Sequence, residues 1–442
     1  MAKLRPAWLR KFGQMWKILR KAPRGSRLNI VKWNALFLFN TIRGKQTVLF
    51  ECQQPRDWGF LEPIFRALQK QSNVRCCILL NDRPARAGGV GLDVDTVKET
   101  LQTAAVDMSC VAQRLGNALF FADIYLTPTT YNNFLPADRT ILRGALPHGL
   151  VNKLYLSTSN IRTNQHGPEM ADFDVLLSTG PECTQKALPF RAHYGHTYDI
   201  WNVGYPKIDG LLNRQISPKG SAPPVSPKSI HVLFAPSWGR KTALDVYGLS
   251  PVAWALEEGH KVTIKLHPMS LSKGVDYATG GVDWKQELAK FESDPNVSIA
   301  DTTVNEELMA QADLMISDVS GIAYEFLLTG KPVIFLDVPE FFAEMAADVG
   351  SACYEDLSFW GRSYGRIVSA REEMMAALDD YAQGRWTMES VDGLRERLLY
   401  NPGCAGQAAA SCIIEYCKTR KSRTMLSDGS GNTITQILFV SK

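Results

Sequence analysis

The chain has 442 residues, too many for one ordinary hydrophobic core, so two domains are expected. Hydrophobic residues make up 45% and charged residues 21%, which excludes a disordered, collagenous or low-complexity chain. The net charge of +4 hides an asymmetry: residues 1–50 hold twelve Lys or Arg and no Asp or Glu, leaving 37 basic against 45 acidic side chains in the rest.

That asymmetry points to a basic leader on a mildly acidic body, with an anionic surface as its partner. No apolar run approaches the roughly 18 residues needed to cross a bilayer, and no secretory signal is expected. The nine cysteines are odd in number and scattered, which excludes a disulfide framework or a thiolate zinc site and favours a reducing, cytoplasmic compartment.

In chain order, the first element is a helix on which Trp8, Phe12, Met15, Trp16 and Leu19 share one face. Arg10, Lys11, Gln14, Lys17 and Lys21 lie mostly on the other, and Pro23 stops the helix. Aromatic residues opposite cations suit the headgroup region of a membrane, so Trp8, Lys11, Phe12, Trp16, Lys17 and Arg20 are the expected contacts with the inner leaflet. A second segment, residues 30–42, is rich in Trp33, Leu36, Phe37, Leu38 and Phe39 and would lie beside it. The alternative is that both helices pack on the body or on a protein partner. Nucleic acid is not expected, because the aromatic residues are not interleaved with the cations.

The body alternates short apolar strands with helical patterns, the mark of βαβ units and parallel sheets. Strands are expected at 47–52, 74–80, 122–126 and 175–178, with helices through Leu61, Ile64, Phe65 and Leu68, over 94–101, and from Pro181. Residues 214–228, rich in Pro, Ser and Gly, read as a linker. Strands then resume at 231–235, 261–266, 297–299, 314–317 and 333–336. The expected division is a leader (1–45), a first Rossmann-like domain (46–213), a linker (214–229), a second such domain (230–417) and a basic, then polar, tail (418–442). A ligand would lie in the cleft between the carboxyl ends of the two sets of strands.

Four segments stand at strand ends of the second half: Ala235-Pro236-Ser237-Trp238, Lys265-Leu266-His267-Pro268, Ser317-Asp318-Val319-Ser320-Gly321 and Lys331-Pro332-Val333. The third offers backbone N–H groups, hydroxyls and a glycine at a helix start, which suits a phosphate; an ordinary N-cap gives the same pattern. His267, between a strand and Pro268, would project at the strand tip and donate to a phosphate oxygen, unless it is a structural histidine. His148, between Pro147 and Gly149, would sit on a loop facing the second half as a general base, or as a loop histidine without a task. His166, His193, His196, His231 and His260 have no comparable setting, and neither a metal site nor a cofactor is expected.

Taken in order, PHG at 147–149, GYPKID at 204–209, LFAPSW at 233–238, IKLHP at 264–268 and ADLMISDVSGIAYEFLLTGKPVIFLD at 312–337 resemble the CDP-glycerol glycerophosphotransferase family of teichoic-acid primases and polymerases. The resemblance implies an α/β, GT-B-like fold: two Rossmann-like domains facing each other across a cleft, here with an N-terminal amphipathic helical leader. It implies that His148 is the base for the acceptor hydroxyl and that His267 stabilises the pyrophosphate. Contacts to the donor phosphates and nucleotide would come from Pro236, Ser237, Trp238, Arg240, Lys265, Ser317, Asp318, Ser320, Gly321 and Glu325. The family often has Tyr and Ser where this chain has Val319 and Gly321, and an Arg directly after the tryptophan where Gly239 precedes Arg240.

The expected reaction moves a polyol phosphate from a CDP-polyol, most simply CDP-glycerol, to a hydroxyl of a lipid-linked glycan or polyol-phosphate acceptor, with CMP leaving. The enzyme would be peripheral on the inner face of the cell membrane. Two alternatives stay open: a glycosyltransferase using a nucleotide sugar on the same scaffold, and a non-catalytic glycolipid-binding scaffold.

Overall fold

The computed structural model describes residues 5–80, 94–128, 135–150, 168–216, 229–272, 276–300 and 305–426. His166, most of the expected linker (217–228), the end of the tail (427–442) and the Trp8 side chain lie outside the described residues.

Two parallel sheets organise the chain. The first holds β1 (Gln46–Glu51), β2 (Val74–Leu80), β3 (Val111–Gln113), β4 (Ile124–Thr127), β5 (Leu142–Ala145), β6 (Val175–Ser178) and β7 (Asp199–Asn202), in the order β3-β2-β1-β4-β5-β6-β7. The second holds β8 (His231–Phe234), β9 (Lys261–Ile264), β10 (Val297–Ile299), β11 (Leu314–Ser317), β12 (Val333–Leu336) and β13 (Arg366–Val368), in the order β10-β9-β8-β11-β12-β13. Every ladder is parallel, as buried apolar runs joined by helices require. In each sheet the order reverses beside the first strand: between β1 and β4, and between β8 and β11. The crevice at such a reversal, beyond the carboxyl ends, is where open α/β sheets take ligands.

The N-terminal region forms two helices, α1 (Arg5–Lys21) and α2 (Arg24–Ile42). Helix α2 is not a detachable leader. Ile30, Trp33 and Phe37 are buried in the first domain, each worth roughly 1.5–3 kcal/mol. Asn34 is sealed beneath them: its amide donates to the Ala118 carbonyl (2.7 Å) and its oxygen accepts from the Phe120 N–H (2.7 Å). Helix α1 docks more lightly, through Met15, Ile18, Leu19 and Ala22 against the same cluster. Lys11 turns inward, pairing with Asp138 at 2.7 Å and donating to Thr140 at 2.8 Å, and Phe12 meets the Phe121 ring at 5.1 Å. The expected membrane face is corrected accordingly. Met15 and Leu19 face the protein, and the exposed apolar side chains are Leu9, Phe12 and Trp16 on α1 with Leu28, Val31, Leu36, Phe39 and Ile42 on α2.

Helix α3 (Pro55–Gln69) follows β1 and buries Leu61, Ile64, Phe65 and Leu68 on one face, as the sequence pattern requires. The expected second-domain boundary at 417 also needs correction. The closing helix Ala405–Leu426 crosses back and packs on α3, placing Ala409, Ala410, Ile413 and Cys417 in the first domain's core. Its start is capped from that domain, because Asp209 accepts the N–H groups of Ala405 (3.0 Å) and Gly406 (2.8 Å). Gly406 is required there: a Cβ would stand 2.5 Å from the Pro63 Cβ and 2.8 Å from its backbone carbon. A further apolar cluster runs without a break from Phe60, Tyr205 and Ile208 of the first domain to Met315, Phe326 and Leu327 of the second. The two domains are therefore packed together at the cleft's edge.

Candidate active site

The two strand-end crevices meet. On the second domain, β8 runs into Ala235-Pro236-Ser237-Trp238 and β11 into Ser317-Asp318. Asp318 is fully buried, its two carboxylate oxygens accepting the N–H groups of Ser237 (2.8 Å) and Ala243 (2.8 Å). The Ser317 hydroxyl donates to the Ala235 carbonyl at 2.6 Å. Both side chains thus shape the loop after β8 from within, a different place from the phosphate contact that the family resemblance implies. Pro236 and Ser237 are buried in that loop, while Trp238 and Arg240 are exposed at the rim.

Ser320 caps the helix Gly321–Leu327 in position only: its backbone is extended and its hydroxyl makes no capping bond. Beyond Gly321 the space is open, with nothing within 4 Å of an added Cβ. The first turn of this helix is therefore accessible to an anion. Lys331 turns away from the cleft and donates to the carbonyls of Met309, Ala310 and Ala312 at 2.7 to 2.9 Å, closing the C-terminal end of a neighbouring helix.

His267 lies just beyond the tip of β9 and is half-buried. Its Nδ1 accepts the Met269 N–H at 3.1 Å, so the proton of the neutral ring rides on Nε2, which is left as a donor. Burial first, then the charges of Arg56, Lys265 and His148, hold its pKa down to about 3. The ring stays neutral at every physiological pH. Trp238 stacks on it, centroids 5.7 Å apart and planes 30° from parallel. His148 is exposed on the loop after β5, on the opposite domain, and near enough for its charge to act on His267.

Lys265 is 9% exposed, and among the described residues its ammonium bonds only the Leu266 carbonyl, at 3.5 Å. Burial, reinforced by Lys207 and Arg56, pulls its pKa down to about 8 against the pull of Glu325. Glu325 is already engaged. It accepts both contacts of Lys207 (2.7 and 2.9 Å) and the Tyr205 hydroxyl (2.7 Å), so the ion pair joins the first domain to the second. This places Glu325 as a bridge between domains, where the resemblance implies a donor contact.

The cleft thus brings together His148, Lys265, His267 and Glu325. Sequence reasoning missed Arg56, Tyr205 and Lys207. The last two stand in the GYPKID segment, and Arg56 stands in the turn directly after the first strand, the position a reversal point singles out. The other described histidines have other places: His231 Nε2 pairs with the Thr263 hydroxyl at 2.8 Å, His260 is buried with Nδ1 near the Ile230 N–H, and the rings of His193 and His196 lie against Tyr194.

Two Rossmann-like domains with a histidine on each side of a cationic cleft define a GT-B-type enzyme scaffold. Solved structures agree on the fold. The wall teichoic acid polymerase TagF superposes with a TM-score of 0.59 at 16% identity, covering 93% of this chain and 98% of that one. A histidine-to-asparagine variant of TagF soaked with CDPG gives 0.58 at 17% identity over the same shares. A protein of Listeria monocytogenes described as a UDP-N-acetylglucosamine 2-epimerase gives 0.51 at 12% identity, covering 88% of this chain and all of that one. A sequence search among curated proteins finds no match. The family model for CDP-glycerol:poly(glycerophosphate) glycerophosphotransferase matches residues 151–399. The chain belongs to that family and is a glycerophosphotransferase-like enzyme.

Proposed function

We propose that the protein transfers glycerol phosphate, or a closely related polyol phosphate, from its CDP derivative to a hydroxyl of a lipid-linked acceptor in teichoic-acid-like polymer synthesis. The observation that carries this reading is the pairing across the cleft of an exposed histidine on one domain, His148, with a neutral, half-buried histidine on the other, His267, beside the buried Lys265. His148 takes the proton of the acceptor hydroxyl as its oxygen attacks the phosphorus bearing the polyol. The bond from that phosphorus to the bridging oxygen breaks, and CMP leaves with the electron pair. His267 Nε2–H, the Lys265 ammonium, the Ser320 hydroxyl and the N–H groups that open the helix at Gly321 meet the charge that develops. Trp238, half exposed at the rim, gives the cytosine a face to stack on, and Arg240 lies beside it. Asp318 and Ser317 act by fixing the loop that carries Trp238.

The acceptor is membrane-bound in this reading. Support comes from the exposed apolar side chains of α1 and α2, set among Arg10, Lys17, Arg20, Lys21, Arg24 and Lys32 with no carboxylate in the first fifty residues. No described helix is long and apolar enough to cross a membrane, so the contact would be peripheral. None of the nine cysteines, all of them described, forms a disulfide, which favours the cytoplasmic leaflet.

A nucleotide-sugar reaction on the same scaffold is the competing reading, favoured by the likeness to the Listeria monocytogenes protein. The test is product analysis with CDP-glycerol and UDP-sugars: acceptor-dependent CMP supports the proposal, and UDP overturns it. Replacing His148 with Ala should lower turnover roughly 10²- to 10⁴-fold while CDP-glycerol affinity stays within about twofold. A scaffold protein would show no turnover to lose.

A further inference from the structure

Arg56 occupies the reversal point of the first sheet. It follows β1 by five residues, in the first turn of α3, where Asp57 fixes the backbone by accepting the N–H groups of Gln53 (2.8 Å) and Gln54 (2.9 Å). The same helix lies against the inter-domain ion pair and the second domain: Lys207 lies over the Phe60 ring at 5.4 Å, and a Cβ on Gly59 would stand 3.5 Å from Glu306 Oε1. From this position the Arg56 guanidinium is close enough to depress the proton affinity of both Lys265 and His267 on the opposite domain.

The carboxylate beside it in sequence, Asp57, feels its charge but forms no ion pair with it. Arg56 has no ion pair, and its Nε is buried without a hydrogen-bond partner among the described residues. Asp57 binds the backbone through one carboxylate oxygen, the other being buried without a hydrogen-bond partner among the described residues, and Glu325 is engaged with Lys207 and Tyr205. Facing it, Lys265 is nine-tenths buried with one contact at 3.5 Å. Two under-partnered cations from different domains, converging on a histidine Nε2–H, are unfavourable unless an anion comes between them. The family match begins at residue 151, so the pattern that identifies the family does not include Arg56.

We infer that Arg56 is the first domain's contact to the phosphate that is transferred, gripping its non-bridging oxygens opposite Lys265. This rests on the reading above, in which a CDP-polyol spans the cleft with its nucleoside phosphate on the second domain. The phosphate next to the polyol then lies nearest the acceptor side, where a guanidinium makes two parallel bonds and a lysine only one.

The test compares two ligands on the full-length protein by calorimetry. Arg56→Ala should weaken CDP-glycerol binding about 10- to 100-fold, as expected for losing a charged hydrogen bond, and leave CMP binding within about twofold, since CMP lacks the phosphate that Arg56 holds. Arg56→Lys should recover part of the affinity. Arg56→Met keeps the aliphatic stem and serves if the alanine variant folds poorly. Equal weakening of CMP and CDP-glycerol, or weakening of neither, overturns the inference. A wild-type protein that ignores CDP-glycerol and binds UDP-sugars overturns the functional reading instead. Arg56 is then judged by the same comparison between UDP and UMP.

Discussion

Replacing Lys265 with Met should make the unliganded protein more stable and the enzyme worse. In the folded protein the lysine's pKa falls from 10.5 to about 8, with burial the largest cause. A folded pKa below the unfolded one means that the charged lysine opposes folding. The penalty is complete below about pH 8, fades as the pH rises towards 10.5 and is gone well above it, where both states are neutral. Its upper size is roughly 3 kcal/mol, at about 1.4 kcal/mol per pKa unit. Methionine matches the stem's length and carries no charge, so urea denaturation at pH 7 should show a gain of roughly 1–3 kcal/mol that shrinks toward pH 10. Donor binding should fall about 10- to 100-fold, the worth of a charged hydrogen bond to phosphate. Saturating CDP-glycerol should then stabilise the wild type much more than the variant. A variant that is less stable at pH 7 and binds the donor normally would refute the reasoning, because Lys265 would then be an ordinary structural cation.

Four further outcomes follow from the same geometry. Asp318→Ala strands two buried N–H groups, at Ser237 and Ala243, and should lose roughly 2–4 kcal/mol of second-domain stability along with donor binding; denaturant melts with and without CDP-glycerol measure both. Because His267 is held at about 3, it should contribute no break to the pH profile of kcat/KM between pH 5 and 7, and His267→Asn should lower the profile without changing its shape there. Donor affinity should instead decline above about pH 8, as Lys265 loses its proton. Removing residues 1–22 should leave a folded protein that sediments less with anionic vesicles, whereas removing 1–45 should abolish soluble expression, because it takes away Ile30, Trp33, Asn34 and Phe37 from the core.

The sequence is most legible where burial is local. The runs at β1, β2, β8, β11 and β12 each hold at least three consecutive apolar residues and stand out in any window. The strands Val111–Gln113, Leu142–Ala145, Asp199–Asn202 and Arg366–Val368 do not. They are three or four residues long, and Leu142–Ala145 carries Arg143, a buried cation whose side chain reaches the carbonyl of Asp172 at 3.2 Å. Periodicity alone could not separate the two apolar sides of α2, one buried in the first domain and one exposed, nor divide α1's aromatic residues between body and solvent. The return of the closing helix depends on Gly406 meeting Pro63 across more than 340 residues, which no local pattern reports.

The candidate site divides along the same line. His148, Lys265 and His267 were legible from strand ends and flanking prolines. Ser317 and Asp318 read equally well as ligand contacts, and only the bonds to Ala235, Ser237 and Ala243 reveal that they face inward. Arg56 was silent, because its meaning lies in what the other domain places opposite it.

The most direct test of the central claim is the identity of the nucleotide released when purified full-length protein meets CDP-glycerol and a lipid-linked glycan acceptor. Release of CMP that requires the acceptor, and that collapses in His148→Ala while CDP-glycerol still binds, is the predicted result. CMP release indifferent to His148, or UDP release from a UDP-sugar under the same conditions, would contradict it.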